Sequence, residues 1–433
     1  MEMPSDPVTR RDRAELFACI GNRPHVGLAV SGGADSTALM HLAHRWREER
    51  GGNSPDLSIL TVDHGLRPES ANETQWVAER ARQLGLECHV LRWQPGEKHS
   101  RIQADARQAR YDLMVSCALE HGITALATAH HLDDQAETLL MRLGRGSGLD
   151  GLAGIHAQGE WGGLDLLRPF LDVPKSRLVA SLEEQRITWL EDPSNDDDRF
   201  ERVRLRKAMV QLEQLGIGAD ALARSARRLR RASEALEGEA GHFLESGARL
   251  SDAGYCEIDA TKFAGIPDEI ALRVLSRALR GIGGRVDPPR LARLEALLRS
   301  VRAGADENAT LGGCLVRFHP GSILVTREGG SSRGPEKMEL RPGHAGLWDG
   351  RYRVSLGADC KAPVEVRPLG RDGFGQVRAR LHERLSLPGS AVAGLVSFWR
   401  DDTLLAVPPL GYVDKGPEGA ECDAEFVNGS LFR

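Results

Sequence analysis

Four residues, Gly27-Leu28-Ala29-Val30, run straight into Ser31-Gly32-Gly33-Ala34-Asp35-Ser36-Thr37-Ala38-Leu39, and no other stretch constrains the chain as strongly. A short apolar run reads as a buried strand. Two glycines behind it permit a tight turn and keep side chains out of the way of a ligand. Asp35 or Ser36 can then open a helix that continues through Ala38, Leu39 and Leu42. Strand, glycine turn and helix in that order aim unpaired N–H groups and the positive end of a helix dipole at one point. The hydroxyls of Ser31, Ser36 and Thr37 surround that point. An ordinary strand-to-helix turn would explain the two glycines alone; the full string reads as a phosphate or pyrophosphate cradle. It is not a Walker A loop, because no Gly-Lys-Ser/Thr follows, and it lacks the third glycine of a dinucleotide fingerprint.

The chain around this junction alternates strands and amphipathic helices. Leu57–Val62, Glu87–Trp93 and Thr124–Ala129 read as further strands, with helices over Ala71–Leu84 and Gln103–His121. That alternation predicts an α/β fold with a doubly wound parallel sheet, in which ligands bind at the carboxyl ends of strands. Three polar clusters fall at that edge: the glycine loop, Asp63-His64, and His130 to Thr138. Neighbouring histidines on an extended chain face opposite ways, so His130 and His131 do not make a natural transition-metal pair. A magnesium ion shared by carboxylates and phosphates suits the cluster better. Asp133 and Asp134 can cap the next helix, while Asp134 and Glu137, three apart, share a helical face on which they can hold a cationic amine or a magnesium ion.

The loop resembles the Ser-Gly-Gly-x-Asp-Ser loop of the N-type ATP pyrophosphatases. Further motifs follow in order: His64-Gly65-Leu66-Arg67, Ala106-Arg107 with Arg110-Tyr111, Ala129 to Thr138, Arg145-Gly146-Ser147-Gly148 with Gly151-Leu152, Arg168-Pro169, and Glu191 to Asn195. Together, over residues 26–206, the series resembles the tRNA(Ile)-lysidine synthetase family. It departs from that family's pattern at Gln103, where Glu is frequent, and at Val203, where Asn is frequent. The resemblance implies that ATP activates the wobble cytidine of an isoleucine tRNA with a CAU anticodon. L-lysine then joins carbon-2 of that base, with release of AMP and pyrophosphate. It assigns Ser31, Gly32, Gly33, Ala34, Asp35 and Ser36 to ATP, with Mg²⁺ on Asp35. His64 goes to nucleotide or base, Arg107 to phosphate or adenylate, and Asp134 and Glu137 to lysine or magnesium. A homodimer is compatible with it.

Composition limits the alternatives. A net charge of −5 excludes a generic nucleic-acid binder, so any such surface is local. Seven scattered cysteines include no C-x-x-C pair, which fits free thiols in a reducing compartment rather than a disulfide or zinc framework and disfavours tRNA thiolation through a cluster or a sulfur carrier. The polar start and the lack of a long apolar run imply a cytoplasmic protein with no membrane contact. Between residues 199 and 231 ten basic side chains stand against three acidic ones. This bias reads either as a solvated face or as a tRNA-backbone contact.

The expected division is a catalytic domain at 1–217, a mainly helical domain at 218–328 and a small β-rich domain at 336–433, separated by the linker Glu328–Pro335. Ala221 to about Glu245 reads as a helix. Thr310–Phe318 and Ile323–Arg327 read as a hairpin, and Tyr352–Leu356, Val364–Arg367 and Thr403–Val407 as late strands.

Overall fold

The computed structural model describes residues 6–52, 54–63, 65, 70–93, 102–191, 198–199, 201–304, 308–329, 334–380, 387–392, 394–414 and 421–432. The expected contributions of His64 and of Asp192 to Asn195 lie outside those residues. So does the side chain of Arg107, whose backbone is helical. Packing divides the chain into two compact units, 1–233 and 234–433.

The first unit runs α1 (Arg10–Leu16), β1 (His25–Ala29), α2 (Ala34–Arg50), β2 (Asp56–Asp63), α3 (Ser70–Gln83), β3 (Glu87–Arg92), α4 (Ile102–Glu120), β4 (Ala125–Ala127), α5 (Leu132–Gly144), α6 (Leu149–Leu152), β5 (Gln158–Trp161), β6 (Leu164–Leu167), α7 (Lys175–Glu184) and α8 (Glu201–Gln214). Its sheet has the order β3-β2-β1-β4-β6-β5. All neighbours are parallel except β5, which pairs antiparallel with β6. The strands are apolar on both faces because helices cover both. Val26, Leu28, Ile59, Ala125 and Ala127 enter one core with Leu39 and Met40 of α2, Leu178 of α7 and Phe170. Leu60, Leu126 and Leu166 enter the other with Tyr111, Met114 and Val115 of α4. The expected doubly wound sheet is therefore present.

The strand order reverses between β1 and β4. From β1 the chain winds outward through β2 and β3; with β4 it starts again on the other side. A reversal of this kind leaves a crevice at the strands' carboxyl ends, where no connection crosses. The glycine loop leaves β1 and the His130–Thr138 segment leaves β4, so topology alone makes them neighbours.

The helix α9 (Ala219–Gly247) extends the predicted helix by two residues at each end. The second unit continues with β7 (Ala248–Ser251), β8 (Tyr255–Asp259), α10 (Ala260–Ala264), α11 (Asp268–Gly283), α12 (Leu291–Arg302), β9 (Ala309–Leu311), β10 (Cys314–His319) and β11 (Ser322–Arg327). These five strands form one sheet, β7-β8-β11-β10-β9, against which α11 packs Val274, Leu275, Ala278 and Ile282. The predicted hairpin is β10–β11. Its first arm is shorter than expected, because Gly312 and Gly313 both take positive φ and break Thr310–Phe318 into β9 and β10. Beyond residue 336, eight short strands build a five-stranded and a three-stranded antiparallel sheet. They include Tyr352–Leu356, Val364–Pro368 and Thr403–Val407.

Candidate active site

Helix α2 starts one residue earlier than the side chains predict. Gly33 is its cap and makes no side-chain cap bond. Neither Asp35 nor Ser36 caps it; Ser36 Oγ instead donates back to the Gly33 carbonyl at 3.1 Å and accepts the Ser31 N–H at 3.1 Å. Ala34, Asp35 and Ser36 thus form the first turn, whose N–H groups have no intrahelical partner. The two serine hydroxyls, 3.2 Å apart, tie the loop into a closed ring.

Gly32 has φ +92°, and a Cβ there would sit 2.7 Å from Leu190 Cδ1. Its carbonyl accepts from the Thr37 hydroxyl at 3.0 Å and from the Leu190 N–H at 2.9 Å. Both the backbone conformation and the close approach call for glycine.

Across the crevice, α5 begins at Leu132 with His131 as its cap. Asp134 Oδ2 accepts the His131 N–H at 3.0 Å, which is the capping role expected of it. Asp133 caps a different helix: its Oδ2 accepts the Lys175 N–H at the start of α7, at 2.9 Å. The His131 ring is buried, 3% exposed, among three carboxylates. Its Nε2 lies 3.5 Å from Asp35 Oδ2 and 3.6 Å from Asp134 Oδ2, and its Nδ1 lies 3.4 Å from Asp133 Oδ2. Lys175 Nζ adds a second cation, 3.4 Å from Asp35 Oδ2.

The electrostatics follow from this packing. Burial disfavours the imidazolium, but hydrogen bonding to Asp133 and Asp35 and the charge of Asp134 outweigh it and push His131 up to about 10. Burial likewise opposes the charge of Asp35, yet His131 and Lys175 hold its carboxyl below the usual range. Asp133 is held low by His131 and the Lys175 N–H against the same desolvation. While Oδ2 of Asp35 faces these cations, its Oδ1 is buried with no hydrogen-bond partner among the described residues.

Glu137, 2% exposed, sits one turn further along α5. Its Oε1 accepts from Arg206 Nε of α8 at 2.9 Å, and its Oε2 is buried without a partner among the described residues. Glu137, Asp134 and Asp35 together hold the Arg206 guanidinium above its usual value, although burial works against it.

A cleft of about 410 Å³ opens beside these groups. Ser31, Gly33, Asp35 and Ser36 line one side, His130 and Asp134 another, and Leu60, Val62, Tyr111 and Met114 form an apolar floor. Arg110, one turn beyond Arg107, reaches the wall, as does Arg202. Among the described residues no cysteine lines it.

Of the expected site residues, the structure brings Ser31, Gly32, Gly33, Ala34, Asp35, Ser36 and Asp134 to one crevice, with Glu137 behind Asp134. Three charged partners were given no role in the site from the sequence: His131, Lys175 and Arg206. For His131 the signal was present, since it stands between a strand and two aspartates. Lys175 and Arg206 carry no local signal, because each reaches its carboxylate only through the packing of α7 and α8 on α2 and α5.

Beyond Arg202, which lines the cleft, and Arg199, the other eight basic side chains of the run resolve into two groups. Arg204 bonds the carbonyls of Asp198 and Arg199, Arg206 meets Glu137, and Lys207 meets Asp198. Arg227 pairs with Asp172, and Arg230 bonds the carbonyls of Ala153 and Ile155. These are structural. Arg224, Arg228 and Arg231 are instead exposed. Their spacing on α9 sets them in one row.

The chain is similar to known proteins over most of its length. Residues 8–213 match a family model described as a PP-loop domain. Over 313 residues the chain is 46% identical to a tRNA(Ile)-lysidine synthase of Methylobacterium nodulans, covering 70% of this chain and 90% of that protein. Over 413 residues it is 37% identical to one from Ruegeria pomeroyi, covering 94% and 93%. A third, from Rhodopseudomonas palustris, is 45% identical over 307 residues, covering 69% of this chain and 86% of the relative.

Proposed function

The chain belongs to the tRNA(Ile)-lysidine synthase family, and from that premise we propose how its first unit performs the reaction. The protein is an ATP-dependent enzyme that modifies tRNA: it joins L-lysine to carbon-2 of the wobble cytidine of the CAU-anticodon isoleucine tRNA. The carbon-2 oxygen is a poor leaving group. Attack by that oxygen on the α-phosphorus of ATP expels pyrophosphate and leaves the base adenylated. The lysine ε-amine, having lost a proton, then adds at carbon-2, and AMP departs.

Such chemistry asks for positioning and charge neutralisation more than for covalent help. The first-turn N–H groups of Ala34, Asp35 and Ser36 and the hydroxyl of Ser31 receive the pyrophosphate portion, while the Ser36 hydroxyl, held on the Gly33 carbonyl, braces the loop. Lys175 and imidazolium His131 add positive charge behind them. The apolar floor at Leu60, Val62 and Met114 takes the adenine. Arg107 contacts the adenylate, and His64 the nucleotide or the base.

Asp35 suits a magnesium ion. Its buried Oδ1 has no partner among the described residues while Oδ2 is engaged by cations, and a hard cation prefers a carboxylate oxygen left free in this way. Magnesium there would neutralise charge on the phosphates.

Asp134 faces the cleft and binds the amine of lysine. Glu137 contributes through Oε2, which has no partner among the described residues, because Arg206 already occupies Oε1. Either carboxylate can accept the amine proton. The exposed row Arg224, Arg228, Arg231 contacts the tRNA backbone, and the segment 218–328 positions the tRNA.

One observation carries this reading: the glycine-capped start of α2 and the acidic start of α5 meet at the β1–β4 reversal through the Asp35–His131 pair. The test is ATP-dependent incorporation of labelled lysine into isoleucine tRNA with a CAU anticodon, beside a methionine tRNA with the same anticodon. Label in the isoleucine tRNA alone supports it. No label, or label in both, overturns it.

A further inference from the structure

At the far edge of the first unit's sheet, β3 and the end of α4 bring together groups that the reaction does not use. Glu87 and His89 alternate along β3 and so lie on one face of it; His89 Nε2 is 3.7 Å from Glu87 Oε1. Cys117 and His121 are one helical turn apart, with Sγ 3.6 Å from His121 Nδ1. The His89 and His121 rings lie with centroids 4.1 Å apart. Ligand atoms of His89, Cys117 and His121 all fall within 4.8 Å of one another. His89 Nε2 is buried and has no hydrogen-bond partner among the described residues.

We propose that His89, Cys117 and His121 form a site for one zinc-class divalent transition-metal ion, with the exposed Glu87 carboxylate beside His89 turning in as the fourth donor, clamping the edge strand β3 to α4. The donor set is one thiolate, two imidazoles and one carboxylate, which suits zinc and its neighbours and not magnesium or calcium. The spacing fits as well. Zinc–sulfur and zinc–nitrogen bonds of about 2.3 and about 2.0–2.1 Å at a tetrahedral angle place sulfur and nitrogen about 3.6 Å apart, the separation found between Cys117 and His121.

Binding exchanges identifiable protons. His121 Nδ1 stands 2.9 Å from the Cys117 carbonyl oxygen, so in the metal-free form it donates there. On coordination the ring proton moves to Nε2, the thiol proton leaves to solvent, and Nδ1 and Sγ both turn to the metal. None of the four residues lines the ATP cleft. Yet α4 carries Arg110, Tyr111 and Met114 into that cleft, so the ion would anchor the helix that forms its floor.

The test uses the full chain, stripped with chelator and kept in magnesium so that the catalytic carboxylates do not compete for the probe. Cobalt(II) is titrated in. One equivalent should bind with sulfur-to-cobalt charge-transfer absorption and the visible bands of a four-coordinate ion, and zinc should displace it. Cys117→Ser should lose the charge-transfer band, and His121→Gln, at an exposed position, should lose tight binding without risk to the fold. Absence of stoichiometric uptake, or an unchanged spectrum in these two variants, would overturn the proposal; the other six cysteines would then be the source.

Discussion

His131 Nε2 lies 3.5 Å from Asp35 Oδ2, so one ion pair spans the reversal of the sheet and joins the residue beside the phosphate cradle to the cap of the acidic helix. In the proposed mechanism, activation of ATP and reception of the amine would both depend on this contact.

Asp35→Ala is therefore expected to abolish lysine-dependent AMP release, by about a hundredfold or more, while tRNA still binds. None of Arg224, Arg228 and Arg231 is among the described residues that line the cleft with Asp35, so a filter-binding assay should return a tRNA affinity near that of the parent. Retained turnover would remove Asp35 from the mechanism.

The raised imidazole makes stability depend on pH with a definite sign. In the unfolded chain His131 titrates near 6.5 and in the folded protein near 10, so the fold binds a proton that the unfolded chain has already lost. This contribution is complete below about pH 6.5, declines as pH rises, and is gone above about 10. Asp35 and Asp133, held low, act in the opposite sense, contributing above their ordinary value of 3.8 and losing that contribution as pH falls through their lowered values. His131→Gln should flatten the alkaline limb of urea midpoints measured between pH 6 and 10. Since it removes the imidazolium from between three carboxylates, of which only Asp35, among the described residues, keeps a further cation in Lys175, it should also cost about 3–5 kcal/mol at neutral pH. An unaltered slope would refute the assignment.

Gly32→Ala tests the loop geometry apart from charge. With φ at +92° and the new Cβ only 2.7 Å from Leu190 Cδ1, the substitution should cost at least about 1–2 kcal/mol from the backbone alone. Trimming Leu190→Ala in the same chain should recover the steric part of the loss and not the backbone part. Denaturant unfolding of the single and double variants separates the two; no recovery would show that the contact is not strained.

Arg206 and Glu137 should behave as a coupled pair. Arg206→Met strands a carboxylate that is 2% exposed, whereas Glu137→Gln leaves a guanidinium able to turn to solvent. The arginine variant should be the less stable, and the double-mutant cycle should give a coupling of about 0.5–3 kcal/mol. Additive effects would mean that the contact contributes nothing.

If Arg224, Arg228 and Arg231 contact phosphates, replacing all three by Gln should weaken tRNA binding and lower the slope of log affinity against log salt by about 2 to 3. The structural Arg227 and Arg230 should show their effect in thermal stability instead. A salt slope unchanged in the triple variant would assign the row to solvent.

The sequence disclosed most of what is local. The strand-to-helix junction, the parallel alternation and the capping by Asp134 all rest on neighbours within four residues, where propensity and spacing decide. It misplaced the start of α2, because Ser36 prefers the Gly33 carbonyl over a cap. In the second unit β7 and β8 left little trace: they follow α9 without a breaker longer than Gly247, and their residues alternate only over four or five positions. Lys175 and Arg206 were silent for a different reason. A long cation looks the same in sequence whether it meets water or a carboxylate brought to it by tertiary packing.

The bond from the Leu190 N–H to the Gly32 carbonyl bears on how the protein can be dissected. The sheet is complete at Leu167 and the last helix on its apolar core ends at Glu184, which would be the obvious place to cut. A fragment ending there would keep every strand and lose the brace that holds Gly32 in its turn. One ending at Leu190 would keep the brace and leave Glu137 bare. The shortest piece that carries a working loop and a neutralised Glu137 has to run through Arg206, so split or minimal forms of this enzyme should be joined or trimmed beyond α8.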